Sequence, residues 1–561
     1  MDKTSDALGR VFGRSAATIH LRGGEALARI GQPVEGLYRL EAGRIAELKL
    51  APNGAPEMVA VHRPGALLGA LETLNDGVHH SDLVALRDSE LNILPIRKVE
   101  RLLRRDSHIL AEVARSALRR LGAQAPDSQR RGSILGFIAV CDSVVSRDLT
   151  EAIAERTRKL GRKTVVLGGE AVRLGPSEMS RLEEENDLVL LAVERGQSDF
   201  NAFCNRQVDR LVLVGTMMTP PSVGPIPVAA AAIAAHRLMD VILIQPKEAS
   251  RLSGSEAWLA AAPASRLFHV RQGDGADLDR LARIYAGRSV GLVLSGGGAR
   301  AYAHVGVVKA LRELGVPMDF TAGNSMGAII AAGVAMGWDD VEMETRLRAA
   351  FVTSNPLTDI AFPILAMTRG REVEARLERH FGDVQISDLW RPFACVSTDL
   401  TDGRPHNHRR GLLRRALRAS LSLPGILPPV VEDGHVLVDG AMVDNLPVGL
   451  VSAEHDGWTL GVDVGTAEGL RPDDLRLRPS AWGWLVSGAW RHGPPIVSVL
   501  IRAATVGTEA AMAATRDALD ITLVPQVDMV GLQDWKAYVP AVEAGYRATM
   551  ARADEFAVMA V

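Results

Sequence analysis

The chain has 561 residues, a length that suits about three domains, and its 47% apolar content supplies their cores. A net charge of −3 leaves no basic surplus for a nucleic-acid partner. The three cysteines, Cys141, Cys204 and Cys395, lie too far apart for metal-ligand spacing and suit a reducing cytosol.

The start, MDKTSDALGRVFGRS, lacks the apolar stretch of a signal peptide. Nowhere do about 18 uncharged apolar residues run together, so no membrane span is expected and a cytoplasmic location is. Residues 15–120 alternate short strands with Gly and Asn-Gly turns, at the spacing of a small barrel, and an Arg-rich helical segment follows from Arg97 to Leu121. This stretch resembles a cyclic-nucleotide-binding domain. The resemblance implies a phosphate cassette with a Gly-Glu pair and a following Arg. Here Gly69 is followed by Ala70, and His79 stands where the Arg is expected; Glu72 and Arg87 are nearby but out of register. Cyclic nucleotide is therefore not the expected ligand, and a structural or autoregulatory module is.

Residues 131–280 carry five continuous apolar runs, SILGFIAV, KTVVLGG, DLVLLAV, RLVLVG and DVILIQ, with helical stretches between them. Such runs predict a parallel sheet covered on both faces, a Rossmann-like α/β domain. The first strand leads into CDSVVSRD, which has neither a Gly-Lys-Ser/Thr ending nor a G-x-G-x-x-G spacing, so no nucleotide site is expected.

Three short motifs then follow as parts of one site. Ser289–Ser295 reads as a buried strand, Gly296, Gly297 and Gly298 as a loop, and Ala301–Leu314 as a helix. Successive glycines let backbone N–H groups converge on one point, as an oxyanion hole requires. A dinucleotide loop would need Gly at 301 or 303, and both are Ala. Next comes Gly323-Asn324-Ser325-Met326-Gly327, a G-x-S-x-G elbow between a strand at Met318–Ala322 and a helix at Met326–Met336. A sharp turn there exposes Ser325 Oγ and brings strand and helix close, which small Gly323 and Gly327 permit. Asp439-Gly440 supplies a carboxylate.

The stretches GLVLSGGGARAYAHVGVVKAL, GNSMGAIIAA, ASLSLPGILPPV and LVDGAMVDNLPV, in this order over residues 288–450, resemble the patatin-like phospholipase family. Within it the layout is similar to bacterial relatives of neuropathy target esterase. The resemblance implies a catalytic dyad of Ser325 and Asp439 and an oxyanion loop of Gly296, Gly297, Gly298 and Arg300. It also implies a phospholipid or lysophospholipid substrate. No cluster of metal ligands stands out in the sequence, so neither metal nor cofactor is expected. An ordinary carboxylate, with a pKa of about 4, is a weak base unless burial raises it. A hidden triad would need a histidine. His304 is expected to pack, His406 and His408 to be exposed, and His435 to share a hairpin with Asp439.

Arg409, Arg410, Arg414, Arg415 and Arg418 form a basic run. It predicts either a solvated face or contact with anionic lipid at the inner membrane surface. Beyond it, Trp458–Gly465 reads as a further strand and Val499–Ala514 as helix.

The expected fold class is therefore α/β. Residues 1–125 form a cyclic-nucleotide-binding-like barrel, 126–285 a Rossmann-like domain, and 286–561 a patatin-like three-layer catalytic domain with a C-terminal extension. The expected function is a serine lipid acyl hydrolase working through an acyl-serine. The alternatives are a ligand-gated regulatory protein with little hydrolysis, and an acyltransferase using the same acyl-serine.

Overall fold

A computed structural model describes residues 7–50, 56–122, 134–217, 238–262, 264–362, 364–465, 512 and 515–560. By contact the chain divides into two compact units, Met1–Ile244 with Trp258–Ser265, and Gln245–Ala257 with Arg266–Val561. Most of the helix expected over 499–514 lies outside the described residues.

In the first unit two four-stranded antiparallel sheets form the barrel. One has the order Ala17–Leu21, Ser89–Pro95, Gly36–Ala42, Leu67–Leu68; the other has Ala26–Ala28, Asp82–Ala85, Ile45–Leu50, Pro56–His62. Side chains alternate along Gly36–Ala42, as a strand demands. Tyr38 and Leu40 enter the barrel core with Ile45, Leu83 and Leu91, while Leu37 packs outside against Phe12, Val99 and Val113 of the flanking helices. The helical segment expected from Arg97 to Leu121 consists of two helices, Ile96–Arg105 and Ser107–Gly122. Asp106 between them is extended, and its carboxylate accepts the N–H groups of His108 and Ile109, so it ends one helix and caps the next.

The five apolar runs of the middle region are strands, ordered Thr164–Leu167, Leu188–Val193, Ile134–Ala139, Arg210–Thr216, Leu238–Gln245, and those pairings are parallel. Every residue of Ile134–Ala139 and Leu188–Val193 is buried, which explains their unbroken apolar character. The sheet is Rossmann-like, with its second and third strands exchanged relative to the usual doubly wound order.

The second unit is built on an eight-stranded mixed sheet. Its main path runs Val430–Glu432, His435–Asp439, Phe393–Asp399, Phe320–Asn324, Val290–Leu294, Trp458–Val462, Ile521–Leu523. The central strands are parallel, with Leu294 abreast of Gly323. His435–Asp439 runs antiparallel to Phe393–Asp399, pairing Asp439 with Ser397. This turn of direction sets Asp439 beside the carboxyl ends of the parallel strands, the crevice where open α/β sheets place their sites. The helix Met326–Met336 is buried almost all round and packs into one large core with Val305, Leu311, Leu377 and Leu417.

Candidate active site

Ser325 ends the strand Phe320–Asn324 and begins the helix Met326–Met336, with φ 53° and ψ −128°. A non-glycine residue there is strained by roughly 1–3 kcal/mol and persists only where its surroundings hold it. Those surroundings are explicit. The Ser325 N–H donates to Ser420 Oγ at 2.9 Å, and Ser420 Oγ donates to Asn324 Oδ1 at 3.2 Å. A Cβ on Gly323 would meet Ala328 N at 2.7 Å, and one on Gly327 would run into the carbonyls of Leu294 and Ser295. Both glycines therefore do what the elbow requires of them, letting helix and strands approach.

The glycine loop lies alongside. A Cβ on Gly296 would stand 3.2 Å from Ser325 Cβ and 2.7 Å from Asn445 Oδ1. Its four expected residues do not contribute alike. The Gly296 N–H already donates to Asn445 Oδ1 at 3.1 Å, and the Arg300 N–H to Gly297 O at 3.1 Å. Arg300 Nε donates to Val530 O at 2.6 Å, so this side chain fastens the loop to the C-terminal segment. Among the described residues the N–H groups of Gly297 and Gly298 have no protein acceptor. Within the expected loop of Gly296, Gly297, Gly298 and Arg300, these two N–H groups are the ones left without a partner. Gly298 has φ 54°, and a Cβ there would collide with Leu532 O, so only glycine fits.

Asp439 is 1% exposed. Its carboxyl accepts from Asn324 Nδ2 at 3.2 Å and from the Ala441 N–H at 2.9 Å. Burial raises its pKa, and the Ala441 N–H, the Ser325 hydroxyl and the Asn324 amide pull it back only in part. Gly440 is needed next to it, because a Cβ would press on Asn324 Oδ1 and Val396 O.

Asn324 is the hub that spacing alone did not single out. Its amide donates to Asp439 and, at 3.0 Å, to Asn445 Oδ1, so one buried side chain ties nucleophile, carboxylate and glycine loop together. Ser420 and Asn445 were missed as well, although both lie inside the recognised stretches ASLSLPG and VDNLPV. Polar residues in apolar company were the signal available.

The histidines hold other partners. His304 is fully buried with Nε2 2.9 Å from Ser295 O, and burial lowers its pKa to about 4. His408, expected at the surface, is buried on the strand Arg404–His408 with Nε2 2.8 Å from Ser397 Oγ, and desolvation takes its pKa to about 3. His406 is half-buried with its ring 4.7 Å from that of His408. His435 Nδ1 lies 2.7 Å from Asp399 Oδ2, not on Asp439. No histidine hydrogen bond among the described residues reaches Ser325 or Asp439.

The basic run is not one helical face. Only Leu413–Ser420 is helical, and Arg409, Arg414 and Arg415 pair with Glu454, Asp383 and Glu432. Arg418 is buried, donating to Ser422 Oγ at 2.6 Å and Pro428 O at 3.2 Å. The run is thus largely neutralised by carboxylates and partly structural. No helix among the described residues is long and apolar enough to cross a membrane.

Residues 292–451 match the family profile described as patatin-like phospholipase, and residues 18–106 that of the cyclic nucleotide-binding domain. An NTE family protein of Mycobacterium tuberculosis is 30% identical over 562 residues, covering 96% of this chain and 92% of that protein. Patatin-like phospholipase domain-containing protein 6 of Mus musculus is 28% identical over 533 residues, covering 83% of this chain and 39% of that protein. Neuropathy target esterase sws of Drosophila melanogaster is 27% identical over 537 residues, 84% of this chain and 37% of that protein. From an alignment that runs almost end to end, the chain belongs to the NTE family of patatin-like hydrolases, with its patatin-like phospholipase domain preceded by a cyclic nucleotide-binding domain.

Proposed function

We propose that this protein hydrolyses carboxylic esters of phospholipids or lysophospholipids through a Ser325–Asp439 dyad. The observation that carries the reading is the strained Ser325 next in the chain to Asn324, whose amide donates to the buried Asp439 carboxyl, with the pKa of that carboxyl raised. Ser325 Oγ attacks the ester carbonyl carbon while Asp439 accepts the hydroxyl proton. The carbonyl oxygen becomes an oxyanion in reach of the Gly297 and Gly298 N–H groups, helped by the N-terminus of the helix Met326–Met336. Collapse expels the alcohol, which takes the proton from Asp439 and leaves an acyl-serine. Water then attacks, Asp439 accepts its proton, and fatty acid departs as Ser325 Oγ is reprotonated.

Raising the Asp439 pKa makes it a better base at neutral pH than a free carboxylate. Asn324 orients it, in the role a third residue plays in a triad.

Reading the barrel as a module that does not take cyclic nucleotide rests on its interior. Arg120 from the helix Ser107–Gly122 pairs with Glu47 at 2.6 Å and Glu72 at 2.8 Å, and Ser81 and His62 complete the cluster. Glu72 lies within the cassette helix Ala70–Leu74 and is spent on this protein's own arginine. Arg87, the other out-of-register candidate, donates to Glu183 at 2.8 Å.

The test is a panel of phospholipids and lysophospholipids incubated with wild type and Ser325→Ala, with free acid and residual lipid followed by mass spectrometry. Acid release by wild type alone supports the reading, and equal release by both contradicts it. Transfer of the acyl group to an added alcohol without acid release would favour the acyltransferase.

A further inference from the structure

We infer that a short apolar hairpin, carrying residues 360–362 on one side and 364–368 on the other, is the surface by which the second unit docks on a phospholipid bilayer and brings Ser325 to its substrate. The inference rests on the lipid-hydrolase reading and names the surface that serves it.

Ile360 bridges antiparallel to Thr368, and the Ala361 N–H donates to Met367 O at 2.8 Å. The base of the hairpin is buried through Ala366 and Thr368. Its tip is not: Phe362, Ile364 and Leu365 are 86%, 82% and 75% exposed. Single exposed apolar residues are ordinary, but three large ones this close in sequence mark a candidate interaction surface.

Two observations identify the occupant as lipid. The first is where the hairpin is rooted. The Met367 N–H donates to Gly425 O at 2.9 Å, and the Thr368 hydroxyl to Ile426 O at 2.7 Å. Gly425 and Ile426 continue the segment that carries Ser420, partner of the Ser325 N–H, and Ser422, whose carbonyl accepts the Asp439 N–H at 2.9 Å. The base of the hairpin is therefore hydrogen-bonded to the same stretch of chain that frames nucleophile and carboxyl. The second is charge. Arg369 and Arg371, immediately beyond the hairpin, are exposed, and neither has a carboxylate partner among the described residues. An apolar tip backed by free guanidinium groups matches a bilayer, with acyl chains below and phosphates at the depth of the arginines. Asp359 accepts the Arg371 N–H at 2.7 Å and so holds the hairpin against the helix Arg371–Phe381.

The basic run from Arg409 to Arg418, the sequence's own candidate for this task, is paired or buried and leaves the role to the hairpin.

The test uses the full chain with Ser325→Ala, so that binding is read without turnover. Flotation with vesicles of phosphatidylcholine and phosphatidylglycerol should carry this protein up. Adding Phe362→Ser, Ile364→Ser and Leu365→Ser together should weaken vesicle binding by about a hundredfold. The same triple change in an active Ser325 background should leave turnover of a soluble short-chain ester as in wild type. In a separate variant, Leu365→Trp should show an emission blue shift when vesicles are added. Undiminished flotation of the triple variant, or no blue shift, overturns the proposal. So does a change in solution mass without a change in flotation, which would make the hairpin a contact between two copies of the chain. Flotation as expected with no ester cleaved by wild type would sink the hydrolase reading and leave the docking surface standing.

Discussion

At the scale of single residues, chemistry and stability pull against each other. Ser325 is held at a positive φ and Asp439 is buried with its carboxyl pKa raised. Ser325→Ala should lower ester turnover by about ten-thousandfold or more, since the nucleophile of a concerted site is not replaced by its neighbours. Asp439→Asn should be comparably inactive in steady-state assays. Its thermal midpoint at neutral pH should be unchanged or higher. A raised acid pKa means the folded state holds the proton more tightly, so stability falls as pH rises through the window between the ordinary and the raised value, and an amide avoids that loss. The rate has the opposite sign. Asp439 must be ionised to accept the serine proton, so kcat/KM should fall with acid from a midpoint above the usual carboxylate range. An acid limb at or below that range would mean that another group is the base.

Elements carry the second kind of prediction. Arg418→Ala should lower both the thermal midpoint and short-ester turnover, because it removes the donor to Ser422 Oγ and Pro428 O beneath Asp439 and its neighbours. A buried acceptor left unpaired costs about 1–3 kcal/mol. Arg414→Gln with Arg415→Gln should leave both within error, since their partners are surface carboxylates and such pairs contribute roughly 0–1 kcal/mol. Circular dichroism melts and a soluble ester assay separate these outcomes. The contrast also measures what a sequence discloses. The elbow and glycine loop were legible because close backbone approach forces glycine at fixed spacing, and the helix Met326–Met336 was read to its ends. The run of arginines was read only in part, because charge patterning does not say which side chain points inward: Arg418 is buried against Ser422 and Pro428 while Arg415 is exposed and pairs with Glu432. His408 was misread for the same reason, its strand Arg404–His408 looking polar while its last residue is buried. Asn324 as hub was out of reach, since a G-x-S-x-G pattern leaves that position unspecified.

For the whole molecule, two responses to conditions follow from buried groups in separate units. In the first, micromolar cyclic AMP or cyclic GMP should not shift the thermal midpoint, because a ligand that binds the native state must raise it and Glu72 is already paired with Arg120. Arg120→Ala should destabilise by about 3–5 kcal/mol, since it strands Glu47 and Glu72 as buried charges. In the second, His304 and His408 are held neutral, with pKa lowered to about 4 and about 3. The unfolded chain takes up their protons near its ordinary pKa of about 6.5, so the unfolded state binds more protons below that pH. Stability should therefore be full above that point and be lost progressively as pH falls toward 4. Melting curves across this range check it, and His408→Gln should flatten the slope. The central claim, that Ser325 is the nucleophile, is tested most directly by intact-mass spectrometry after treatment with a fluorophosphonate, followed by peptide mapping. One adduct per chain is expected, on Ser325, absent from Ser325→Ala and slowed in Asp439→Asn. A single adduct on another serine, or one that persists in Ser325→Ala, would contradict it.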